Sequence, residues 1–138
     1  MMFLRCDCVT WKEKQFQNTF LRVERGRNDV DSMVHSRRKF GDQGEKLAAS
    51  YLNDKGFRVV DTQHRTPYGE IDLICRDGEE VVFVEVKTRR SRRFGFPEES
   101  VTAAKILRIV RSAEHILQER KWIDIPWRVD VVSVEFDH

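Results

Sequence analysis

Asp72, Glu85 and Lys87 form an acid, a twelve-residue interval and then an acid-x-lysine pair, set inside two apolar runs, 69–74 and 82–87. Burying an ionised side chain is costly unless it is paired or bound to metal. Residues two apart in a strand share a face, so Glu70 projects with Asp72 and Glu85 with Lys87. Between the runs lies Arg76-Asp77-Gly78-Glu79-Glu80, a turn signal that joins them into a hairpin. A two-residue turn at Gly78-Glu79 sets Asp72 opposite Glu85. A turn at Asp77-Gly78 leaves the pair diagonal but on the same face. In both registers three carboxylates and one lysine converge at one end of a sheet. Hard divalent cations take oxygen ligands of this kind. Asp72 and Glu85 can hold Mg²⁺ or Mn²⁺ with waters and a backbone carbonyl such as that of Val86. Such an ion acidifies bound water and polarises a phosphate. Lys87 can position the water or stabilise charge on phosphate oxygens. The plain alternative is a surface hairpin with a Glu–Lys pair. Against it, Val81-Val82-Phe83-Val84 and Val86 read as a central strand buried on both faces.

Two further acids have double readings. Glu45 follows Gly41-Asp42-Gln43-Gly44 beside the apolar stripe of a helix. It either completes the metal site, or holds a second ion, or is an ordinary surface glutamate. Glu70 is an outer acid of the site or simply opens its strand. Directly after the acid-x-lysine strand comes Arg89-Arg90-Ser91-Arg92-Arg93-Phe94. This run suits a clamp on a phosphate backbone, with Phe94 or Phe96 stacking on a base. Its alternative is a solvated basic loop.

These residues need elements to position them. Phe40, Gly44, Leu47, Ala48, Tyr51 and Leu52 form a helical stripe that stops at Lys55-Gly56. Strands follow at 57–60, 69–76 and 80–88. A loop with Gly95 and Pro97 leads to a second helix starting near Pro97 or Thr102, with Ile106, Val110, Ala113 and Leu117 as its buried stripe. Lys105 and Arg108 then fall on the opposite face, solvated or touching phosphate. A last strand runs from Trp127 to Phe136. The expected fold is α/β, a mixed four-stranded sheet flanked by helices in the order α-β-β-β-α-β. Residues 1–35 read as a weakly ordered extension and 36–138 as the domain. Cys8-Val9-Thr10-Trp11 and Phe20-Leu21-Arg22-Val23 are candidate short strands. Met33 stands just before the first periodic segment, so a start at Met33 and a genuine extension both remain open.

The chain has 138 residues, 35% of them charged, with a net charge of only +2. Basic residues are clustered instead, at 37–39, 89–93 and 105–111, and local patches matter more than net charge for phosphate contact. Three cysteines, an odd number, do not make a disulfide framework, and reduced thiols in the cytoplasm are expected. No apolar run approaches a membrane span, and charges break up any leader-like N-terminus. The four histidines lack zinc-ligand spacing. There is no Gly-rich phosphate loop, Gly-x-Ser-x-Gly or Cys/His nucleophile pattern.

Taken together, the chain resembles the YraN family of bacterial proteins. The resemblance is carried by Gly41-x-x-Gly44-Glu45-x-x-Ala48, Tyr51-Leu52, Gly69-Glu70-Ile71-Asp72-Leu73-Ile74 and Phe83-Val84-Glu85-Val86-Lys87-x-Arg89. It continues through Phe94-Gly95 and Lys105 to Arg128-x-Asp130-Val131-Val132. Residues 1–32 have no part in it. It implies a restriction-endonuclease-like fold related to Holliday-junction resolvases. Those enzymes use a helix glutamate, an aspartate and an acid-x-lysine pair around Mg²⁺, roles that fall here on Glu45, Asp72, Glu85 and Lys87. The metal ligands would be Asp72, Glu85 and Glu45, with Arg89, Arg90, Arg92, Arg93 and Lys105 on nucleic acid. The expectation is a Mg²⁺-dependent endonuclease acting on DNA, branched or structured, and working as a homodimer. Two alternatives stand beside it: a non-catalytic nucleic-acid-binding module on the same fold, and a protein-interaction module using the hairpin and the basic loop.

Overall fold

The computed structural model describes residues 9–10, 16–24, 37–89 and 102–137. The elements are β1 (Val9–Thr10), β2 (Phe16–Glu24), α1 (Arg37–Asp54), β3 (Arg58–Thr66), β4 (Gly69–Asp77), β5 (Glu80–Arg89), α2 (Ala103–Glu119) and β6 (Trp127–Asp137). From α1 onward this is the expected α-β-β-β-α-β order. The four expected strands lie side by side as β6-β5-β4-β3, and β1 and β2 extend the sheet on the β6 side. β3, β4 and β5 form an antiparallel meander, whereas β5 and β6 are parallel. A parallel pair needs a crossover, and α2 supplies it. β2 runs parallel to β6 through nine paired positions, from Phe16↔Val129 to Glu24↔Asp137.

The helices cover opposite faces of the sheet. α1 packs with Leu73, Cys75, Val82, Val84, Val86, Val132, Val134 and Phe136 through Ala48, Tyr51 and Leu52, joined by Leu21 of β2. α2 packs with Ile71, Ile74, Val81, Phe83 and Val129 through Ile109, Ala113, Ile116 and Leu117. β5 is therefore buried on both faces, from Val81 to Val86, with Glu85 among them.

Local chemistry sets the boundaries. After α1, Gly56 takes a left-handed φ of +92°. Gly56 N–H donates to Asn53 O and Phe57 N–H to Leu52 O, a glycine-terminated cap. Thr102 caps α2, its hydroxyl accepting from Lys105 N–H. α1 lies so close to β5 that a Cβ on Gly44 would sit 1.9 Å from Thr88 Oγ1. That close approach brings the helix bearing Glu45 down onto the sheet.

The buried stripe of α2 differs from the expected one. Ile109, Ser112, Ala113, Ile116 and Leu117 are buried, while Ile106 and Val110 are only half-buried. The helix carries apolar residues over a wide arc, and the sheet takes the side centred on Ile109 and Ile116. Lys105 lies on that line, four residues before Ile109.

Candidate active site

The hairpin closes through Asp77↔Glu80, leaving Gly78-Glu79 as the two-residue turn, and Gly78 adopts φ +57°. This is the register that sets Asp72 opposite Glu85. Direct pairing of β4 with β5 is continuous from Asp77 back to Leu73↔Val84. At the next step the Asp72 side chain enters, and its Oδ2 accepts the Val86 N–H at 2.7 Å. The backbone of β5 thus orients the carboxylate. Asp72 and Glu85 both line a cavity of about 300 Å³, together with Glu70, Tyr68, Lys105, Arg108 and Ser112. Lys87 Nζ is 3.0 Å from Glu85 Oε1.

Lys105 is expected on the helix face opposite the apolar stripe, solvated or touching phosphate. It instead reaches into the site and bonds Glu85 Oε1 at 2.5 Å. The correction follows from the rotation of α2. Two ammonium groups therefore share one buried carboxylate, Glu85 being 6% exposed.

Burial, with the Glu85 charge next in weight, pushes the Asp72 carboxyl up from 3.8 to about 7. Burial also raises Glu45, against the hydrogen bond from Gln63 and with help from Asp42, Glu70 and Glu85. Burial and the neighbouring Lys105 lower Lys87. Burial lowers Lys105, but hydrogen bonds to Glu85 and Lys87 and the charges of Glu85 and Asp72 together leave it raised. A buried acid pushed up beside a lysine pushed down makes this cluster a candidate functional site.

Glu45 lies within electrostatic reach of this cluster, its charge helping to raise Asp72, but its hydrogen bond goes elsewhere. Gln63 Nε2 donates to Glu45 Oε2 at 3.0 Å and to Asp42 Oδ1 at 3.2 Å. Glu45 lines a second cavity of about 340 Å³ with Arg38, Asp42, Gln63, Arg65 and Glu70. Glu70 borders both cavities and pairs with Arg65 Nε at 3.1 Å. Among the described residues no group of three His, Cys, Asp or Glu side chains is gathered for a metal ion. The donor set of Asp72 and Glu85 still fits Mg²⁺, which binds through one or two carboxylates plus waters and substrate phosphate.

A model of the uncharacterised protein family UPF0102 matches residues 44–134. The chain belongs to this family. A UPF0102 protein of Dehalococcoides mccartyi is 44% identical over 103 residues, which are 75% of this chain and 85% of that one. A UPF0102 protein of Moorella thermoacetica is 45% identical over 105 residues, 76% of this chain and 88% of its own. One from Symbiobacterium thermophilum is 49% identical over 98 residues, 71% and 83% of the respective lengths. The UPF0102 span contains Glu45, Asp72, Glu85, Lys87 and Lys105 and excludes β1 and β2.

Of the basic loop, Arg89 ends β5 and pairs in register with Glu135 of β6. Arg90, Arg92, Arg93, Phe94 and Phe96 lie outside the described residues. Three residues of the site region escaped the sequence reading. Gln63 holds Glu45 from a left-handed backbone, φ +50°, and nothing in the local pattern signals this. Ser112 is 1% exposed and bonds Thr66 Oγ1 at 2.8 Å. Ser133 pairs in register with Lys87, and its buried Oγ finds no partner among the described residues. Its one signal was a hydroxyl inside Val131-Val132-Ser133-Val134. No described helix is long and apolar enough to cross a membrane.

Proposed function

We propose that this protein is a Mg²⁺-dependent endonuclease hydrolysing phosphodiester bonds of DNA, with branched or structured DNA as its substrate class. The observation that carries the reading is that Asp72, its carboxyl strongly raised, and Glu85 line one cavity while Lys87 Nζ stands 3.0 Å from Glu85. Asp72 and Glu85 would hold the ion. When bound, Mg²⁺ supplies Lewis acidity to a phosphate oxygen and acidifies water. Asp72 is kept in place by the Val86 N–H. Lys87, made more acidic by burial, donates a hydrogen bond to the attacking water or to a non-bridging phosphate oxygen. Lys105 places a second positive charge where the pentacoordinate phosphate gains negative charge. The water oxygen bonds to phosphorus and releases a proton to solvent as one P–O ester bond breaks, and the departing oxygen takes up a proton from solvent. The basic residues from Arg89 to Arg93 hold the backbone. Two copies, one site each, fit paired nicks in a symmetric junction, and cytoplasmic DNA is the expected setting.

A second reading has its own support. Glu85 is engaged by two lysines, and among the described residues no three acids are gathered for a metal ion, which suits a module that binds DNA without cleaving it. Cleavage of linear, flapped, single-stranded and four-way DNAs in Mg²⁺ or Mn²⁺ separates the two. The parent should cut at least one substrate, and Asp72→Asn and Lys87→Ala should cut none. Equal cleavage by parent and Asp72→Asn overturns the endonuclease reading. No cleavage by the parent alongside firm binding favours the module.

A further inference from the structure

We infer that Tyr68 is a stacking platform for an unpaired nucleobase next to the scissile phosphate, so that the site selects DNA with a nucleotide out of the duplex stack. The inference deepens the proposed function and rests on that reading of the acidic cavity. Tyr68 is 46% exposed, the one aromatic among the exposed large hydrophobic residues described. It lines the cavity containing Asp72 and Glu85 and also the next one, about 340 Å³, bordered by Arg111, Glu114, His115 and Gln118. Its ring meets His115 edge-on at 6.1 Å and 73°.

The turn that carries Tyr68 is rigidly built. Thr66 pairs in register with Gly69, leaving Pro67-Tyr68 as the tip. Thr66 Oγ1 donates to Gly69 O at 2.9 Å and accepts Tyr68 N–H at 3.2 Å. A hydroxyl has one proton, so the 2.8 Å contact with Ser112 is donated by the buried serine on α2. An exposed aromatic on a turn pinned to the neighbouring helix loses little entropy when it binds.

Phosphate partners run alongside. Lys105, Arg108 and Arg111 are spaced i, i+3, i+6 on α2, each step advancing about 4.5 Å. Lys105 and Arg108 line the acidic cavity, and Arg111 lines the next. A strand following this row passes Tyr68 as it leaves Asp72 and Glu85. Bases inside a duplex present only their edges in the grooves; an unpaired base also presents its face, which aromatic side chains take.

The test uses the full chain in chelator, so that binding is read without turnover. The probes are a 2-aminopurine oligonucleotide of about ten nucleotides, within the span of one single-strand site, and the same sequence as a blunt duplex. The parent should bind the single strand more tightly and quench its 2-aminopurine fluorescence. Tyr68→Ala should weaken single-strand binding at least about fivefold, the low end for loss of one base–aromatic stack, and relieve the quenching. Its duplex binding should not change, and Tyr68→Phe should match the parent. If Tyr68→Ala unfolds early, Tyr68→Leu keeps the apolar bulk without the ring. Unchanged affinity and quenching in Tyr68→Ala overturns the inference, as does an equal loss on both probes. Normal metal-dependent cleavage in that event leaves the endonuclease reading standing, and a parent that binds neither probe likewise overturns the inference alone, because the endonuclease reading is decided by cleavage of branched DNA.

Discussion

Asp72→Asn should stabilise the protein in chelator at pH 8, although it removes a residue proposed to be catalytic. The asparagine keeps an acceptor for the Val86 N–H and loses the charge that burial and Glu85 disfavour. The rise from 3.8 to about 7 corresponds to about 4 kcal/mol at full ionisation, a tenfold change being worth about 1.4 kcal/mol. Relaxation of the site reduces this, so a gain of about 3 kcal/mol is expected, near 10 °C in Tm for a chain of this size. The sign follows from proton binding. Between pH 3.8 and about 7 the folded parent holds a proton that its unfolded chain has released, so parental stability falls as pH rises through this window. It has no Asp72 penalty below pH 3.8 and carries the full penalty above pH 7. The variant has no such slope from this position. Thermal unfolding of both proteins from pH 4 to pH 8 reads the difference directly. The curves should nearly coincide at pH 4 and separate steadily toward pH 8. Added Mg²⁺ should close the gap by stabilising only the parent. A variant no more stable than the parent at pH 8, or a gain independent of pH, refutes the claim that Asp72 is held in a costly charged state.

Three further outcomes are expected. Gly44→Ala should destabilise by about 1–3 kcal/mol through overpacking, because its Cβ meets Thr88 Oγ1 at 1.9 Å and Cγ2 at 2.8 Å; adding Thr88→Ala should recover part of the loss in a denaturant double-mutant cycle. Arg128→Met should cost about 3–5 kcal/mol, since the guanidinium bonds Asp130 at 3.1 Å, Asp77 at 2.9 Å and Glu80 as well, and urea unfolding at pH 7 measures it. Removing residues 1–32 should leave a cooperatively unfolding domain with a lower Tm, losing the burial of Leu21, worth about 1.5–3 kcal/mol, and the β2–β6 ladder; loss of cooperativity would place that segment inside the domain.

The hairpin and its polar residues were legible because they depend on short-range rules. Period two puts Glu85 beside Lys87 and Gly78 marks the turn, while the choice of Gly78-Glu79 over Asp77-Gly78 came only with the strand pairing. The continuous apolar run of β5 announced burial on both faces, Gly56 marked the end of α1 through backbone chemistry internal to the segment, and of the two candidate starts for α2, Pro97 and Thr102, the structure takes Thr102. Other features depend on how separate elements dock. The apolar arc of α2 allows more than one buried stripe, and packing against Ile71, Ile74 and Phe83 selects the side carrying Ile109 and Ile116. That choice turns Lys105 from a surface residue into a partner of Glu85. The placing of Glu45 beside Gln63, the parallel addition of β2 to β6 and the enclosure of Arg128 by three carboxylates likewise join residues far apart in the chain. Local periodicity specifies which face a residue shares with its near neighbours. What that face meets is decided only when distant elements compete to bury apolar area and satisfy charge together.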